Sequence, residues 1–512
     1  MQKGSGEETE SQKVPAYSCY ALGVLFLVYL VNFVDRQILS ILANDIKADL
    51  GVDDAQLGFL YGTAFAIFYA LFGIPLGRLA DGWHRLRLLS IGLALWSIMT
   101  VLSGLSRSMA TLTVARIGVG VGEASANPSA YSLIADWFPK GFRATALSIY
   151  SAGLFVGSGL SLLIGGSIVE AWNAAYPVEA PLGLAGWQAA FIIVGSPGIL
   201  LALWVLSLRE PVMGALEGKP TANNPHACRD FLGETVQIVP PFTVIGASRR
   251  GGRALLLNLA FAALMAAIAA GATALFGNAQ QFAFVAVGYY AVFSWGCALR
   301  AADRETFAMT WQSPAFIAIV LVYAAVSYIG YSITYWAAPY AERTFALSKA
   351  DLGWLVGAPN ALGGFLGVIL GGWLADRLGA RIVGGRMLVA AITLLSTVPL
   401  LLLGYSSASS TVFLICNFLG QMVTAAALGA CAASSISLVK PRMRGTATAI
   451  FLLGATLIGL AFGPFAAGLI SATSGNLALG VQYSLIAVMP GLVALWVAVR
   501  GYPHALARLE QG

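Results

Sequence analysis

Long apolar runs separated by short polar loops dominate this chain. Apolar stretches lie near 17–43, 55–77, 88–105, 110–135, 144–168, 187–208, 312–338, 351–375, 386–404, 409–438, 445–471 and 478–499. Each approaches or exceeds the roughly 20 residues that a helix needs to cross about 30 Å of hydrocarbon. Two further runs, 254–275 and 282–299, lie in the middle. The pattern predicts an all-α polytopic membrane protein with about fourteen spanning helices. Composition points the same way. Of 512 residues, 58% are hydrophobic and only 10% are charged, which no ordinary soluble domain shows.

The basic residues set an orientation. With the N-terminus inside, the cytoplasmic segments hold 23 of the 29 Lys and Arg residues, among them Arg78, Arg85, Arg87, Lys140, Arg143, Arg377, Arg381, Lys440, Arg442 and Arg444. The opposite loops hold four: Lys47, Arg107, Arg343 and Lys349. This is the positive-inside pattern, with both termini cytoplasmic. The net charge of +6 therefore reflects topology and requires no nucleic-acid partner. An even number of crossings preserves the bias, so the central pair is both present or both absent. The polar, acidic N-terminus, MQKGSGEETESQK, is unlike a cleavable signal. It reads as a disordered cytoplasmic tail, and the expected location is the plasma or inner membrane.

Four charges interrupt the apolar pattern: Asp35 and Arg36 in the first run, and Arg116 and Glu123 in the fourth. A charge at bilayer depth costs several kcal/mol at least, so such residues pair with one another and mark ion or substrate routes. Two acids facing two bases permit a neutral cluster. The corresponding C-terminal runs carry no acid at membrane depth, which places any proton-coupled step in the N-terminal half. Arg116 and Glu123, seven residues apart, share one helix face at a separation of roughly 10 Å. Burial and a neighbouring arginine act on a carboxylate in opposite directions, so conformation can decide whether it holds a proton. Asp35 and Glu123 are the expected proton carriers. Arg36 and Arg116 tune them or bind an anionic head group. The competing reading is a static network that holds the two helices together.

The chain also repeats itself. Gly77-Arg78-Leu79-Ala80-Asp81 matches Gly372-Trp373-Leu374-Ala375-Asp376, and Pro139 to Ala146 matches Pro441 to Thr448. Both motifs recur in the same order at nearly the same offset, which argues for duplicated six-helix halves. The organisation expected is a tail at 1–16, an N-terminal bundle at 17–209 and a linker at 210–311 with a helix pair at 254–299. A C-terminal bundle at 312–500 and a tail at 501–512 follow.

The G-x-x-x-D loops, the Arg116-x-x-x-Gly120 run and the Gly459-x-x-x-Gly463-Pro464 run resemble the signature motifs of the major facilitator superfamily. Asn32 to Gln37, Gly118 to Ala124, and Pro441 to Ala449 resemble spinster-type transporters more narrowly. The superfamily resemblance implies a major facilitator fold, with the first and fourth spans lining one cavity. It also implies that Asp81 and Asp376 face helix starts in the opposite half, near Arg444 and Arg143 respectively, as a cytoplasmic gate. An acid at a positive helix end gains about 0.3–1 kcal/mol. The first loop departs from the pattern, because the basic residue expected directly after Asp81 is displaced to Arg85 and Arg87. The spinster resemblance implies a lysophospholipid or sphingoid phosphate as substrate.

Cavity-lining candidates are Asn32, Tyr328, Tyr331, Tyr335, Asn360, Asn417 and Gln421. The tyrosines are spaced i, i+3, i+7 and share a face, whereas Trp336 and Tyr340 read as interfacial belt residues. Intramembrane amides often only bridge neighbouring helices. Pro128 and Pro464 are expected to kink their spans. The Ala-rich central pair reads as a peripheral, lipid-facing hairpin.

The three histidines are far apart, the five cysteines are scattered, and no phosphate-binding loop occurs. No enzyme, metal site or cofactor is expected. The function expected is a proton-coupled secondary transporter that acts as a monomer among membrane lipids on a lipid-like substrate. The alternatives are a transporter of a small organic anion and, in another class, a membrane sensor or scaffold.

Overall fold

The computed structural model describes residues 14–217, 220, 222 and 224–511. Most of the N-terminal tail lies outside the described residues. Among the described residues, 13 helices are long and apolar enough to cross a membrane. The first half contains α1 (Ala16–Leu50), α2 (Asp54–Ala80) and α3 (Arg85–Gly104). The fourth crossing, α4 (Met109–Glu123) and α5 (Ala126–Trp137), is broken in two and adds to those 13. Then come α6 (Lys140–Ala175) and α7 (Gly186–Leu206). The linker forms α8 (Ala227–Ile238), α9 (Thr243–Arg249), the hairpin α10 (Gly252–Phe276) and α11 (Ala279–Ala302), and α12 (Arg304–Thr310). The second half contains α13 (Pro314–Phe345), α14 (Lys349–Gly379), α15 (Met387–Ser406), α16 (Ser410–Ile436), α17 (Pro441–Ser474) and α18 (Leu477–Ala507).

Both expected proline effects have local causes. Pro128 has no N–H to return to the Ala124 carbonyl, and the helix breaks at 124–125. Pro464 follows a widened turn at Ala455–Leu460. Two carbonyls beside this turn accept side-chain donors from neighbouring helices. Thr63 Oγ1 donates to the Ala461 carbonyl at 2.6 Å, and Trp336 Nε1 donates to the Pro464 carbonyl at 2.9 Å.

The halves join along three contacts: α1 with α13, α2 with α17, and α6 with α14. Small residues make this approach possible. A Cβ at Gly62 would stand 2.4 Å from the Leu460 carbonyl oxygen, so α2 and α17 meet backbone to backbone.

The hairpin differs from a wholly lipid-facing pair. Only 6% of the apolar stretch of α10 is buried, which matches the expectation. Helix α11 instead lies along the α2–α17 seam and touches both halves. Thr63 bonds Gln281 Oε1 at 2.6 Å, and Phe284 meets Phe59 and Phe68 edge-on. On the other side of the seam Phe282 packs on Phe465, and Gly288 sits beside both Ile67 and Leu457. Hydropathy counted α11 as apolar but could not show that its glutamine and phenylalanines face protein.

Candidate functional site

Asp35 and Arg36 are adjacent on α1, so their side chains diverge by about 100°. That geometry separates them. Arg36 Nε donates to Glu123 Oε2 at 3.0 Å, and its Nη2 donates to the same oxygen. The guanidinium also lies 4.4 Å from the Phe65 ring centroid, 4.6 Å from Phe33 and 5.2 Å from Tyr69. These rings hold the cation by cation–π attraction while keeping water away. Glu123 Oε1 is buried with no hydrogen-bond partner, beside Asn32, whose Nδ2 is likewise unpartnered.

Asp35 turns toward Trp96 and Thr100 of α3, and neither of its carboxylate oxygens has a hydrogen-bond partner. Arg116 bonds its backbone carbonyl, Nη1 to O at 3.3 Å, stands 5.8 Å from the Phe65 ring centroid, and leaves Nε and Nη2 without hydrogen-bond partners. All four residues are buried, at 0% exposure for Asp35 and Arg116, 1% for Glu123 and 7% for Arg36. The sequence suggested one neutral cluster of four. The structure holds one bonded pair flanked by an acid and a base that do not join each other.

The other cavity candidates divide. Tyr331, in the other half, lies within electrostatic range of Arg36. Tyr328 is half-buried, with its backbone pressed on Gly459 and Gly463 of α17. Tyr335 is fully buried, stacked on Tyr61 at 4.3 Å, and belongs to the seal between halves. Asn417 Nδ2 donates to Asn360 Oδ1 at 2.7 Å, and Gln421 Nε2 to Thr334 Oγ1 at 2.9 Å. Both amide pairs bridge neighbouring helices. Trp336 and Tyr340 are not belt residues: both are buried, and Tyr340 Oη donates to the Tyr405 carbonyl at 3.2 Å.

At the arginine-rich end, the expected gate residues make local contacts among the described residues. Asp376 accepts from Arg386 at 3.4 Å, and Arg143 Nε donates to the Phe138 carbonyl at 3.0 Å. Asp81 ends α2, and neither Asp81 nor the exposed Arg444 reaches across to the other. The opposite end is tied shut by ions. Asp54 accepts from Arg343 Nη1 at 2.7 Å and Nη2 at 2.9 Å, from Lys47 at 2.8 Å and from Ser471 at 2.6 Å. Lys349 bonds Asp45 and Glu342, each at 2.8 Å. These links join α1 and α2 to α13, α14 and α17. The sequence held one signal for them: Lys47, Arg343 and Lys349 are three of the four exceptions to the charge bias.

Arg85 was visible in sequence only as a displaced loop charge. It is 1% exposed and donates to Glu210 Oε1 at 2.9 Å, Ser132 Oγ at 2.9 Å and the Pro211 carbonyl at 2.8 Å, and it also pairs with Asp136. Glu210 in turn accepts the backbone N–H groups of Arg85 and Leu86 at the start of α3. Removing one partner of a buried ion pair costs about 3–5 kcal/mol. Arg85→Ala is therefore expected to lower the thermal unfolding temperature markedly. Arg85→Lys recovers little, because an ammonium cannot reproduce the forked donor geometry; a melting curve in detergent distinguishes these outcomes.

Comparison with known proteins places this geometry. The Major Facilitator Superfamily profile matches residues 25–325 and 315–510. An MFS-type efflux pump of Mycolicibacterium smegmatis is 27% identical over 95% of this chain and 94% of its own length. Protein spinster of Drosophila melanogaster is 26% identical over 88% of this chain and 62% of its own. A crystal structure of a bacterial homologue of the human lysosomal transporter Spinster, inward-facing and unoccupied, is 25% identical. It superposes with a TM-score of 0.71, covering 97% of this chain and 99% of that one. With its duplicated motifs, paired six-helix halves and intramembrane charges, this integral membrane protein belongs to the major facilitator superfamily and is similar to spinster-type transporters.

Proposed function

We propose that the protein works by alternating access, couples to protons and moves an amphipathic, lipid-like substrate of the lysophospholipid or sphingoid phosphate type. The observation that carries this reading is the Arg36–Glu123 pair, walled by Phe33, Phe65 and Tyr69 and left with one carboxylate oxygen unbonded. An anionic head group that takes Arg36 from Glu123 removes the cation which keeps that carboxylate charged. Glu123 then binds a proton, because an unpaired buried charge is costly. Substrate and proton are thereby linked through one arginine. Asp35 supplies the second titrating group, and the aromatic wall suits an apolar tail.

Both termini are assigned to the cytoplasm from the basic loops, so the ion-tied end faces outward. Asp81 with Arg444, and Asp376 with Arg143, close the inner side when the outer network opens. Helix α11 covers the α2–α17 seam, which leaves lateral entry of an amphiphile to the α6–α14 seam. The unpartnered Nε and Nη2 of Arg116 favour a second reading, a small organic anion bound at that arginine.

Proton flux into proteoliposomes tests the proposal, with lysophospholipids, sphingoid phosphates and small organic anions offered in turn. The expected result is a pH change driven by the lipids that falls at least tenfold in Glu123→Gln. Flux with small anions alone sinks the lipid substrate and keeps the coupling. Silence from folded protein in tight vesicles overturns proton coupling and brings forward a uniporter, sodium coupling or another substrate.

A further inference from the structure

The linker carries a second basic site, separate from the central charges. A cavity of about 530 Å³ opens where α11 ends and α12 leads into α13, lined by Cys297, Arg300, Arg304, Phe307, Ala308 and Gln312, among others. Its volume falls within the roughly 300–1,000 Å³ usual for small-molecule sites. Neither Arg300 nor Arg304 is paired with a carboxylate among the described residues. The acids nearest in sequence are engaged elsewhere: Asp303 bonds Arg442 at 3.4 Å, and Glu305 bonds Lys440 at 2.9 Å as well as Arg442. The protein thus neutralises its own acids with Lys440 and Arg442, at and just before the start of α17, and leaves the cavity arginines without a carboxylate partner.

Two more observations sharpen the picture. Arg300 stands 5.8 Å from the centroid of Phe307, so an apolar surface lies beside the cation. Arg250 lies within electrostatic range of Cys297, a lining residue of the cavity. It donates through Nη1 to Gln237, while its Nε and Nη2 are buried without acceptors. The cavity sits at the end of one spanning helix and the start of another, beside a hairpin whose first helix is almost wholly open to lipid. A soluble anion would need no such placement.

From this placement we propose that Arg300 and Arg304 bind the phosphate of an anionic phospholipid from the leaflet on the arginine-rich side, with the lipid's tails lying along the hairpin. Basic pockets between helix ends on that side of a membrane suit such head groups, and a guanidinium fork matches phosphate oxygens in pairs. This site is independent of the transport reading. Its lipid is a resident of the linker and not the cargo.

Native mass spectrometry of the full-length protein exchanged into mixed phosphatidylglycerol and phosphatidylcholine tests it. The expected result is at least a tenfold preference for retaining phosphatidylglycerol, lost in the double variant Arg300→Gln/Arg304→Gln and kept in Arg249→Gln/Arg253→Gln. Melting curves of the same samples check that both variants fold. If the first variant does not fold, Arg300→Lys/Arg304→Lys, which keeps the charges but not the forks, is expected to lower the preference. Preference unchanged in the folded Gln variant, or lost equally in both Gln variants, overturns the site. Displacement of the lipid by millimolar inorganic phosphate overturns the lipid assignment in favour of a soluble anion.

Discussion

Arg36→Ala is expected to abolish transport and to lower the unfolding temperature together. The substitution removes both hydrogen bonds to Glu123 Oε2 and empties the space between Phe33 and Phe65. Glu123 is then a buried carboxylate with no cation bonded to it, a defect worth about 3–5 kcal/mol. Loss of activity alone would not separate a working pair from a structural one. The double variant Arg36→Met/Glu123→Leu makes that separation, since replacing both charges by apolar groups of similar size is often neutral or stabilising. Stability is expected to return in the double variant and transport is not. Transport recovered along with stability would make the pair a static tie between α1 and α4.

The second large effect is expected at the opposite end of the bundle. Arg343→Ala takes two hydrogen bonds from Asp54 and one from Asn44, at 2.7 Å, while Lys47 and Ser471 stay on Asp54. The remaining partners hold the loss to the lower end of the range for a buried pair, about 3 kcal/mol. At 1.4 kcal/mol per tenfold, that moves the balance between closed and open outer faces by roughly a hundredfold. Ser40 reports on it, because its hydroxyl donates to the Tyr335 carbonyl across the seal at 2.6 Å. Ser40→Cys, in a background without the five free cysteines, is expected to react slowly with an impermeant thiol reagent applied from outside. Adding Arg343→Ala is expected to speed that reaction strongly. An unchanged rate would mean that apolar packing, chiefly Tyr61 on Tyr335 and α2 on α17, holds the outer face closed without the ions.

The candidate site was legible only as far as single helices reach. That Arg116 and Glu123 share a face follows from seven residues of helix. That Glu123 bonds Arg36, while Arg116 bonds a carbonyl of α1, depends on how α1 is rotated against α4. Nothing in either segment fixes that rotation. The tyrosine stripe on α13 shows the same limit. Its spacing puts Tyr328, Tyr331 and Tyr335 on one side of a helix, but one side of a long helix passes from gap to seal. Tyr331 therefore comes within electrostatic range of Arg36 while Tyr335 is locked against Tyr61. Arg85 was hidden for a further reason. Its partners Asp136 and Glu210 are 51 and 125 residues away, and a lone loop arginine looks the same whether it faces water or a buried acid.

What the sequence determined by itself is whatever lipid forces on a chain locally. Each apolar run must close its own backbone hydrogen bonds and so becomes a helix. The basic loops must stay on one side, and the repeated motifs mark two halves. What only the tertiary structure decided is pairing at a distance: which acid meets Arg36, which end is tied by Asp54 and Arg343, and that α11 lies on the α2–α17 seam. The physical reason is that an apolar helix surface is indifferent to lipid or protein. A few side chains such as Thr63, Gln281 and Glu123 acquire their meaning only from the helix that packs against them.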